Sequence, residues 1–194
     1  MRKLVVATKN AGKAREVAQI LAGLPYDIVS LADFPDAPDV EETGSTFADN
    51  AILKATAYAR YTCELTLADD SGLEVDALNG APGVFSSRFA PTDPERNSKL
   101  LDVMKSIPDE QRTARFRCAI VIARPDGSIK TCEGAVEGVI AREAKGAKGF
   151  GYDPIFYLPE LGKHMAELTA EEKNAISHRG KALQAAINLL KECL

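Results

Sequence analysis

Two adjacent carboxylates give the sequence its clearest chemical feature. Asp69 and Asp70 follow the apolar run Leu65–Ala68 and precede the dipeptide Ser71–Gly72. Neighbouring carboxylates repel each other unless a cation or hydrogen bonds compensate them, and carboxylate oxygens are ligands that Mg²⁺ prefers. Successive side chains on an extended backbone point to opposite sides, so we expect one of the two to face a site. A hydrogen-bonded Asp turn without chemistry is the alternative.

A second polar segment, Thr8–Lys13, follows the apolar run Lys3–Ala7 and leads into helical spacing. A loop that enters a helix presents unpaired backbone N–H groups and the positive end of the helix dipole to an anion. Lys9 and Lys13 add positive charge suited to phosphate oxygens. The segment is not a Walker A loop, because Ala14 stands where that motif has the Ser or Thr that binds the metal. A strand-to-helix turn with solvated lysines is the alternative.

An acidic pair, Glu41 and Glu42, precedes a predicted helix on which Asn50 and Lys54 share a face, because they are four residues apart. Acidic residues near a helix start also occur simply because they interact favourably with the helix dipole. Lys54 lies in an otherwise apolar stretch, where its side chain either reaches solvent or points to an anion. The sequence leaves both alternatives open.

An aromatic residue lies between two glycines in the segment Gly149–Pro154. The glycines leave room beside the Phe150 ring, which could stack on a nucleobase. A turn with a core Phe is the alternative. Farther along the chain, Lys173, Ser177 and His178 approach one another on a predicted helix, for which a solvated polar face is the ordinary interpretation.

The spacing of apolar residues predicts the elements that position these segments. The predicted strands are Lys3–Ala7, Tyr26–Ser30, Leu65–Ala68, then short strands broken by Gly80, Pro82 and Gly83, and a hairpin of Thr113–Ala123 with Ile129–Val139. The predicted helices follow Thr8–Lys13, run from the N-cap Thr46 to about Tyr61, cover Asp93–Ile107, and extend from the capping box Thr169–Glu172 through Leu190. This mixture predicts an α/β fold with a long, curved mixed β-sheet flanked by helices. We expect a single domain over residues 1–194, with two lobes around a central cleft.

The composition narrows the class of protein. The chain has 194 residues, 45% of them hydrophobic, which allows a sizeable core without disulfides or a structural metal. Its four cysteines form no CxxC pair and it has two histidines, so a zinc site is disfavoured and Mg²⁺ is the metal to expect. The net charge of −4 argues against nucleic acid as the partner. Because no apolar run approaches the roughly 20 residues that cross a bilayer and no signal-peptide pattern is visible, we predict a cytoplasmic protein without a membrane partner.

Taken in order along the chain, these segments resemble the inosine triphosphate pyrophosphatase family, also called the non-canonical purine NTP pyrophosphatases. The resemblance extends from Thr8 to Arg179 and is carried by the segments EETGSTFADNAILKA, ADDSGLEVDALNGAPGVFSSRFA, RTARFRCAI, GFGYDPIF and ELTAEEKNAISHRGKAL. It implies hydrolysis of ITP, dITP and XTP to the monophosphate and pyrophosphate, by attack of water at the α-phosphate assisted by Mg²⁺ and an Asp. It also implies a homodimer that cleanses the nucleotide pool of deaminated purines.

The resemblance further implies the roles of individual residues. Catalytic roles fall to Asp70, Lys54 and Asp69. Mg²⁺ is bound by Asp70 with Glu41 or Glu42, between which the sequence does not decide. Substrate binding falls to Thr8, Lys9, Asn10, Ala11, Gly12, Lys13, Ser71, Phe150, Gly151, Tyr152, Asp153, Lys173, His178 and Arg179. Of these, Thr8–Lys13 would hold the triphosphate, and the residues from Phe150 onward would form the nucleoside pocket.

Two other functions are compatible with parts of this pattern. A relative specialised for modified pyrimidine or canonical nucleotides would keep the metal and phosphate groups and change the base pocket. A non-catalytic nucleotide sensor has no need of a catalytic carboxylate beside the phosphates, so the intact Asp69–Ser71 segment and Lys54 argue against it. The chain departs from the family pattern at Lys9, Phe85 and Lys148, and none of these departures removes a functional group.

Overall fold

Residues 2–194, the part of the chain that the computed structural model describes, contain both β-strands and α-helices. The strands are β1 (Arg2–Val6), β2 (Tyr26–Ser30), β3 (Leu65–Val75), β4 (Thr113–Ala123), β5 (Ile129–Ile140), β6 (Phe156–Leu158) and β7 (Lys163–His164). The α-helices are α1 (Ala11–Ile20), α2 (Phe47–Thr62), α3 (Asp93–Val103), α4 (Ala170–Ile176) and α5 (His178–Lys191). Within residues 2–194, no helix is long and apolar enough to cross a membrane.

The strands of the described chain form a mixed sheet in the order β2-β1-β3-β4-β5-β6-β7. β1 lies parallel to β2 and β3, whereas β6 runs antiparallel to β5 and β7. The observed β2, β4 and β5 begin and end within one residue of their predicted bounds, and α2 starts directly after its predicted N-cap, Thr46. The predicted α/β fold, a mixed sheet flanked by helices, is confirmed.

The strand that carries the two carboxylates is longer than predicted. It was expected to end before Asp69, but β3 continues through Asp69 and Asp70 as far as Val75. Both carboxylates have basic or amide partners there, which are described below. After β3, the predicted short strands are reduced in the described chain to an isolated bridge between Glu74 and Pro82. Extended backbone is interrupted there, as predicted, because Asn79, Gly80 and Gly83 have positive φ.

The C-terminal helix is broken where the sequence predicted one continuous helix. Ser177 has extended backbone angles (φ −68°, ψ 160°), so it ends α4 before α5 begins at His178. Its N–H still donates to the carbonyl of Lys173 and thereby caps α4. The prediction that Lys173 and His178 share one helix is therefore wrong.

The described chain divides into two compact units. The first unit comprises the chain up to Asp70 together with Cys118–Gly134 and Arg179–Leu194. The second unit comprises Ser71–Arg117 and Ala135–His178. Each unit buries apolar side chains of its own. The expectation of two lobes around a cleft within one domain stays a prediction.

The first unit buries both faces of β1. Leu4 and Val6 pack with side chains of α1 and α5, whereas Val5 and Ala7 pack with side chains of α2. This alternation follows from the two-residue period of a strand, and burial on both faces is typical of parallel strands. The same alternation continues in β3, where Leu67 joins the α1 and α5 side. The helices of the first unit therefore lie on opposite faces of its strands.

The second unit has a core built from the other half of β3. Leu73 and Val75 pack with Leu100 and Met104 of α3 and with Phe156 of β6. All of these side chains are fully buried. The core fixes α3 within this unit, and the first turn of α3 supports one of the segments considered below.

Candidate functional site

The loop between β1 and α1 is shaped by its own side chains. Asn10 is the N-cap of α1, and its side chain accepts the backbone N–H of Lys13 at 3.0 Å. The hydroxyl of Thr8 accepts the N–H of Asn10 at 3.1 Å. Asn10 and Ala11 are exposed, so the positive end of the α1 dipole reaches the surface of the loop. The loop thus has the polarity that an anion requires.

The two lysines of this loop take different partners. Lys9 is well exposed and pairs with the exposed Asp39, at 2.5 Å between Nζ and Oδ1. Lys13 is largely buried and reaches Asp69, at 2.9 Å between Nζ and Oδ2. Lys13 therefore belongs to a buried cluster, whereas Lys9 carries charge at the surface.

Asp69 is buried among cations. Besides Lys13, it receives the Nε of Arg179 at 3.3 Å, and Arg179 also binds Glu16 at 2.5 Å. Burial raises the pKa of Asp69, but Lys13, Arg179 and Lys54 outweigh it and hold the pKa far below its ordinary value. Asp69 is therefore a permanent anion, suited to hold Lys13 and Arg179 in place.

Asp70 has the opposite electrostatic character. Its Oδ2 accepts a hydrogen bond from Asn50 Nδ2 at 3.1 Å, and its Oδ1 lies 3.6 Å from Lys54 Nζ. Burial raises the pKa of Asp70 and the nearby Glu42 raises it further, against the opposing effects of Lys54, Lys13 and the Asn50 hydrogen bond. The net shift is upward, so this carboxylate lacks full compensation. It is suited to bind a cation or accept a proton.

Lys54 links β3 to the acidic loop, the segment before α2 that carries Glu41 and Glu42. Its Nζ contacts Glu42 Oε1 at 2.7 Å and the backbone carbonyl of Asp69 at 2.8 Å. The side chain is only 13% exposed, so it points into the cluster and not to solvent. Glu42 faces Lys54 and Asp70, whereas Glu41 is exposed. The structure thus places Glu42 beside Asp70, a choice that the sequence left open.

The strand period explains why the adjacent carboxylates have different surroundings. Leu67 packs on the side of α1 and α5, and Ala68 packs on the side of α2. Asp69 then projects as Leu67 does and meets Lys13 of α1 and Arg179 of α5. Asp70 projects as Ala68 does and meets side chains of α2.

The charge balance of this carboxylate cluster favours an added cation. Its charged members, joined by the ion pairs described above, are the carboxylates Glu16, Glu42, Asp69 and Asp70 and the cations Lys13, Lys54 and Arg179. Carboxylates therefore outnumber cations among the described residues of the cluster. Residues 2–194 contain no group of three or more His, Cys, Asp or Glu arranged to hold a metal ion. Asp70 and Glu42 are a donor set that fits Mg²⁺, which commonly takes one or two carboxylates and completes its shell with water and substrate oxygens.

In the second unit, an aromatic ring, a carboxylate and an ammonium form a compact group. Lys173 Nζ lies 4.4 Å from the ring centroid of Phe150, a cation–π distance. The same Nζ is 2.6 Å from Asp153 Oδ2, which also accepts the backbone N–H of Phe150 at 3.0 Å. A side chain at Gly149 would collide with Asp153, because an added Cβ would lie 2.0 Å from Oδ2. Asp153 thus fixes both the loop and the lysine.

His178 and Tyr152 are buried in the same unit. The ring of His178 stacks on Phe116, with centroids 4.8 Å apart and planes 15° from parallel. The hydroxyl of Tyr152 donates to the carbonyl of Ser86 at 2.7 Å. Tyr152 therefore serves as a buried support, with its hydroxyl already engaged by the backbone.

The start of α3 holds the loop between Phe150 and Tyr152. The carboxylate of Asp93 accepts the N–H of Gly151 at 2.7 Å, and Asn97 Nδ2 donates to the carbonyl of Gly151 at 3.1 Å. Gly151 has φ +64°, a conformation that favours glycine. Both backbone polar groups of this glycine are thus bound by one helix.

Comparison with known proteins shows the family. The family model described as the Ham1 family matches residues 4–189. The dITP/XTP pyrophosphatase of Desulforamulus reducens is 58% identical over 191 residues, which are 97% of this chain and 95% of that protein. That of Geobacillus kaustophilus is 56% identical over 186 residues, 94% of this chain and 91% of that protein. The chain belongs to the Ham1 family. A solved HAM1 protein from Coxiella burnetii superposes with a TM-score of 0.90 at 46% identity, covering 99% of this chain and 100% of that one.

Ser71 and Arg179 lie in different units of this Ham1-family chain. Ser71 begins the second unit and is half-buried, directly after Asp70 in the chain. Arg179 belongs to the first unit and is bound to Asp69 and Glu16. The nucleoside-binding roles inferred for Arg179 and for the Phe150 segment stay predictions.

Sequence reasoning did not select several residues that contact the candidate site. Glu16, Asp93, Asn97 and Phe116 each bind a predicted site residue, yet none was chosen from the sequence. Glu16 is three residues after Lys13 on α1, a spacing that indicates a shared helix face and could have revealed it. The other three contact residues far away in the chain, which no local spacing signals.

Proposed function

We propose that this Ham1-family chain is a Mg²⁺-dependent pyrophosphatase that hydrolyses ITP, dITP and XTP to the monophosphate and pyrophosphate. The observation that carries the proposal is the undercompensated carboxylate of Asp70, with Glu42 beside it and the shared ammonium of Lys54 between them. The relatives at 58% and 56% identity are named dITP/XTP pyrophosphatases, which supports dITP and XTP as substrates.

The triphosphate would be bound by residues of the first unit. The N-terminus of α1 offers backbone N–H groups and its dipole to phosphate oxygens, and Lys13 adds a buried ammonium. Asp69 pairs with Lys13 and is itself held by Arg179, so the lysine would be positioned before substrate arrives. Positive charge on Lys13 and Lys54 would then stabilise negative charge on the departing pyrophosphate.

The metal would be held by Asp70 and Glu42, whose oxygens suit Mg²⁺. Mg²⁺ bound there would supply phosphate charge neutralisation and a lowered pKa for a coordinated water. Lys54 keeps both carboxylates oriented and stays charged, because the surrounding carboxylates raise its pKa although burial lowers it. Asp70, beside this metal, would also accept the proton of the attacking water.

The purine would be bound by residues of the second unit. Phe150 offers a ring for stacking, which serves all purines alike, and Lys173 lies beside the same ring as a donor for a 6-oxo group. Adenine presents an amino donor at this position and would be rejected. Guanine shares the 6-oxo group, so a donor or steric stop at position 2, from His178 or nearby backbone, must exclude its amino group. An unpaired buried polar group costs about 1–3 kcal/mol, which corresponds to roughly ten- to a hundredfold discrimination per mismatch.

Location and assembly form part of the proposal. We propose a cytoplasmic enzyme that acts as a homodimer, as the sequence resemblance implies, and that removes deaminated purine nucleotides before they are incorporated. Size-exclusion chromatography with light scattering tests the assembly, because a monomeric mass at micromolar concentration would contradict it.

The reaction is tested by incubating the purified protein and Mg²⁺ with ITP, XTP, dITP, GTP and ATP in separate reactions. We expect monophosphate and pyrophosphate from the first three and slow turnover of the last two. Asp70→Asn is the control, since it should fold normally and lose about 10²- to 10⁴-fold in turnover with the loss of its base and metal ligand. Diphosphate and orthophosphate as products would contradict attack at the α-phosphate. Binding without turnover would indicate a sensor, and turnover of canonical or pyrimidine nucleotides a different specificity.

A further inference from the structure

A buried amide lies between the two acidic segments of the carboxylate cluster. Asn50 is 0% exposed and is part of α2, whose neighbouring side chains Phe47, Ala51 and Ala55 belong to the apolar interior. A buried amide is unfavourable unless its donor and acceptor are both bound. Here both are bound, each to a different segment of the first unit.

The two bonds of Asn50 join Asp70 to the acidic loop. Its Nδ2 donates to Asp70 Oδ2 at 3.1 Å, and its Oδ1 accepts the backbone N–H of Gly44 at 2.7 Å. The orientation of the amide is fixed, because the N–H of Gly44 can only donate and the carboxylate of Asp70 accepts. Rotating the amide by half a turn would place donor against donor and acceptor against acceptor.

Gly44 fits against α2 without room for a side chain. An added Cβ would lie 2.7 Å from Asn50 Oδ1, 2.9 Å from the Asn50 backbone N and 2.5 Å from Asp49 Cβ. The capping box of Thr46 with Asp49 fixes the helix start at the same place. Glu42 is two residues before Gly44, so the segment that carries Glu42 is attached to the same amide as Asp70.

We propose that Asn50 is a positioning residue that holds the carboxylates of Asp70 and Glu42 in the relative position that one shared cation requires. It occupies Asp70 Oδ2 and thereby leaves Oδ1, 3.6 Å from Lys54 Nζ, for the cation and the attacking water. Asn50 itself contacts neither the metal nor the substrate in this arrangement. The inference rests on the proposed function, since it assigns a role within that site.

The test replaces the amide by an apolar group of similar size, Asn50→Leu. Because Asp70 and the Glu42 segment lose their common anchor, kcat for ITP should fall about 10- to 100-fold, while KM for ITP stays within about threefold. The Mg²⁺ concentration for half-maximal rate should rise. Without nucleotide, the increase in Tm that Mg²⁺ produces in the wild-type protein should be reduced or lost.

The matched control is Asp49→Asn, the adjacent residue on α2. It weakens the capping box and should lower Tm, yet it leaves the contacts of Asn50 in place, so kcat and the Mg²⁺ requirement should stay at wild-type values. Asn50→Ala serves if the leucine variant does not fold. A third variant, Gly44→Ala, disturbs the other end of the bridge and should reproduce the effect of Asn50→Leu.

Two results would overturn the inference. One is wild-type kcat and Mg²⁺ response in the Asn50 variants. The other is a loss of kcat with an unchanged Mg²⁺ requirement and an unchanged Mg²⁺-induced Tm shift, which would show a structural role alone. The failure of the proposed function is separate, because it would appear as absent ITP hydrolysis in the wild-type protein. The Tm response to Mg²⁺ alone would still test Asn50 in that case.

Discussion

Asp69 and Asp70 are identical side chains one residue apart with opposite tasks. Asp69 is enclosed by Lys13 and Arg179 and has a strongly lowered pKa, whereas Asp70 has a raised pKa and partial compensation. The difference arises from the strand period, which turns one toward α1 and α5 and the other toward α2. Removing the Asp69 carboxylate should therefore affect mainly stability, and removing the Asp70 carboxylate should affect mainly turnover.

Asp69→Asn should destabilise the protein by about 3–5 kcal/mol at neutral pH, because Lys13 and Arg179 lose a buried anionic partner. The lowered pKa gives the sign of the pH dependence: the carboxylate contributes its stability above the unfolded pKa of about 4 and loses it as pH falls toward the folded pKa. Urea denaturation measures the free energy of unfolding of both proteins. The difference between wild type and variant should be largest at pH 7 and should shrink below about pH 4.

The matched comparison is Asp39→Asn, which removes the exposed partner of Lys9 and should leave the unfolding free energy close to that of the wild-type protein. If Asp69→Asn were as stable as Asp39→Asn, the buried ion cluster would not hold the first unit together. A difference that did not shrink in acid would assign the effect to packing and not to charge.

Among the elements, α3 has a specific task, which is to bind the N–H and the carbonyl of Gly151 through Asp93 and Asn97. The Oδ1 of Asn97 is buried without a hydrogen-bond partner in the described part of the chain. An amide with one bound and one unbound group contributes little net stability, so we expect the main effect of Asn97 to be on the loop that it holds. The segment that it holds includes Phe150, the proposed stacking ring.

Asn97→Ala should raise KM for ITP by about 3- to 10-fold, the effect of one lost hydrogen bond, with a smaller change in kcat. Steady-state kinetics with ITP measures both constants. Asn188→Ala, at an exposed position of α5, is the control and should leave KM unchanged. An unchanged KM in Asn97→Ala would show that the Gly151 contact is dispensable for substrate binding.

Elements with strong local signals were predicted well. The capping box at Thr46 and the apolar spacing after it gave the start of α2, and the turn Pro125–Gly127 gave the β4–β5 hairpin. The continuation of β3 through Asp69 and Asp70 could not be predicted, because it depends on partners from α1, α2 and α5. The break at Ser177 was missed because serine is compatible with both a helix interior and a cap.

The candidate site was predictable to a similar degree. The charged residues Lys13, Lys54 and Asp70 were selected from the sequence, and the structure joins them in one cluster. The preference for Glu42 over Glu41 required coordinates, since adjacent residues of a loop give no signal of which side chain turns inward. The proposed role of Asn50 could likewise be inferred only from coordinates, because its two partners are distant in the chain.

At the scale of the whole molecule, the reactivity of the cysteines can report on the opening of the first unit, to which all four belong. Cys63 is exposed, whereas Cys118 and Cys193 are buried and Cys132 is half-buried. Burial raises the pKa of Cys132 to about 11 and raises the pKa of Cys118 still further above its ordinary value. The reactive thiolate of these two residues is therefore scarce at pH 8.

With a disulfide reagent such as DTNB at pH 8, Cys63 should react quickly, and the buried thiols should react only at the rate at which the first unit opens. Cys63→Ser is the control and should remove the fast phase alone. Urea below the unfolding midpoint should accelerate the slow phase and leave the fast one unchanged. Rapid reaction of all four thiols in the native protein would contradict the burial of Cys118 and Cys193.

The two ends of the chain share one core. Leu4 of β1 packs in the same cluster as Leu183 and Leu190 of α5, and the hydroxyl of Tyr26 donates to the carbonyl of Leu190 at 2.8 Å. At roughly 5–20 residues per second, a ribosome needs about 10–40 s to pass from β1 to α5. During that time the apolar face of β1 lacks its final cover. A message truncated before codon 178 would leave that face uncovered for good, making its product a target for chaperones and proteases.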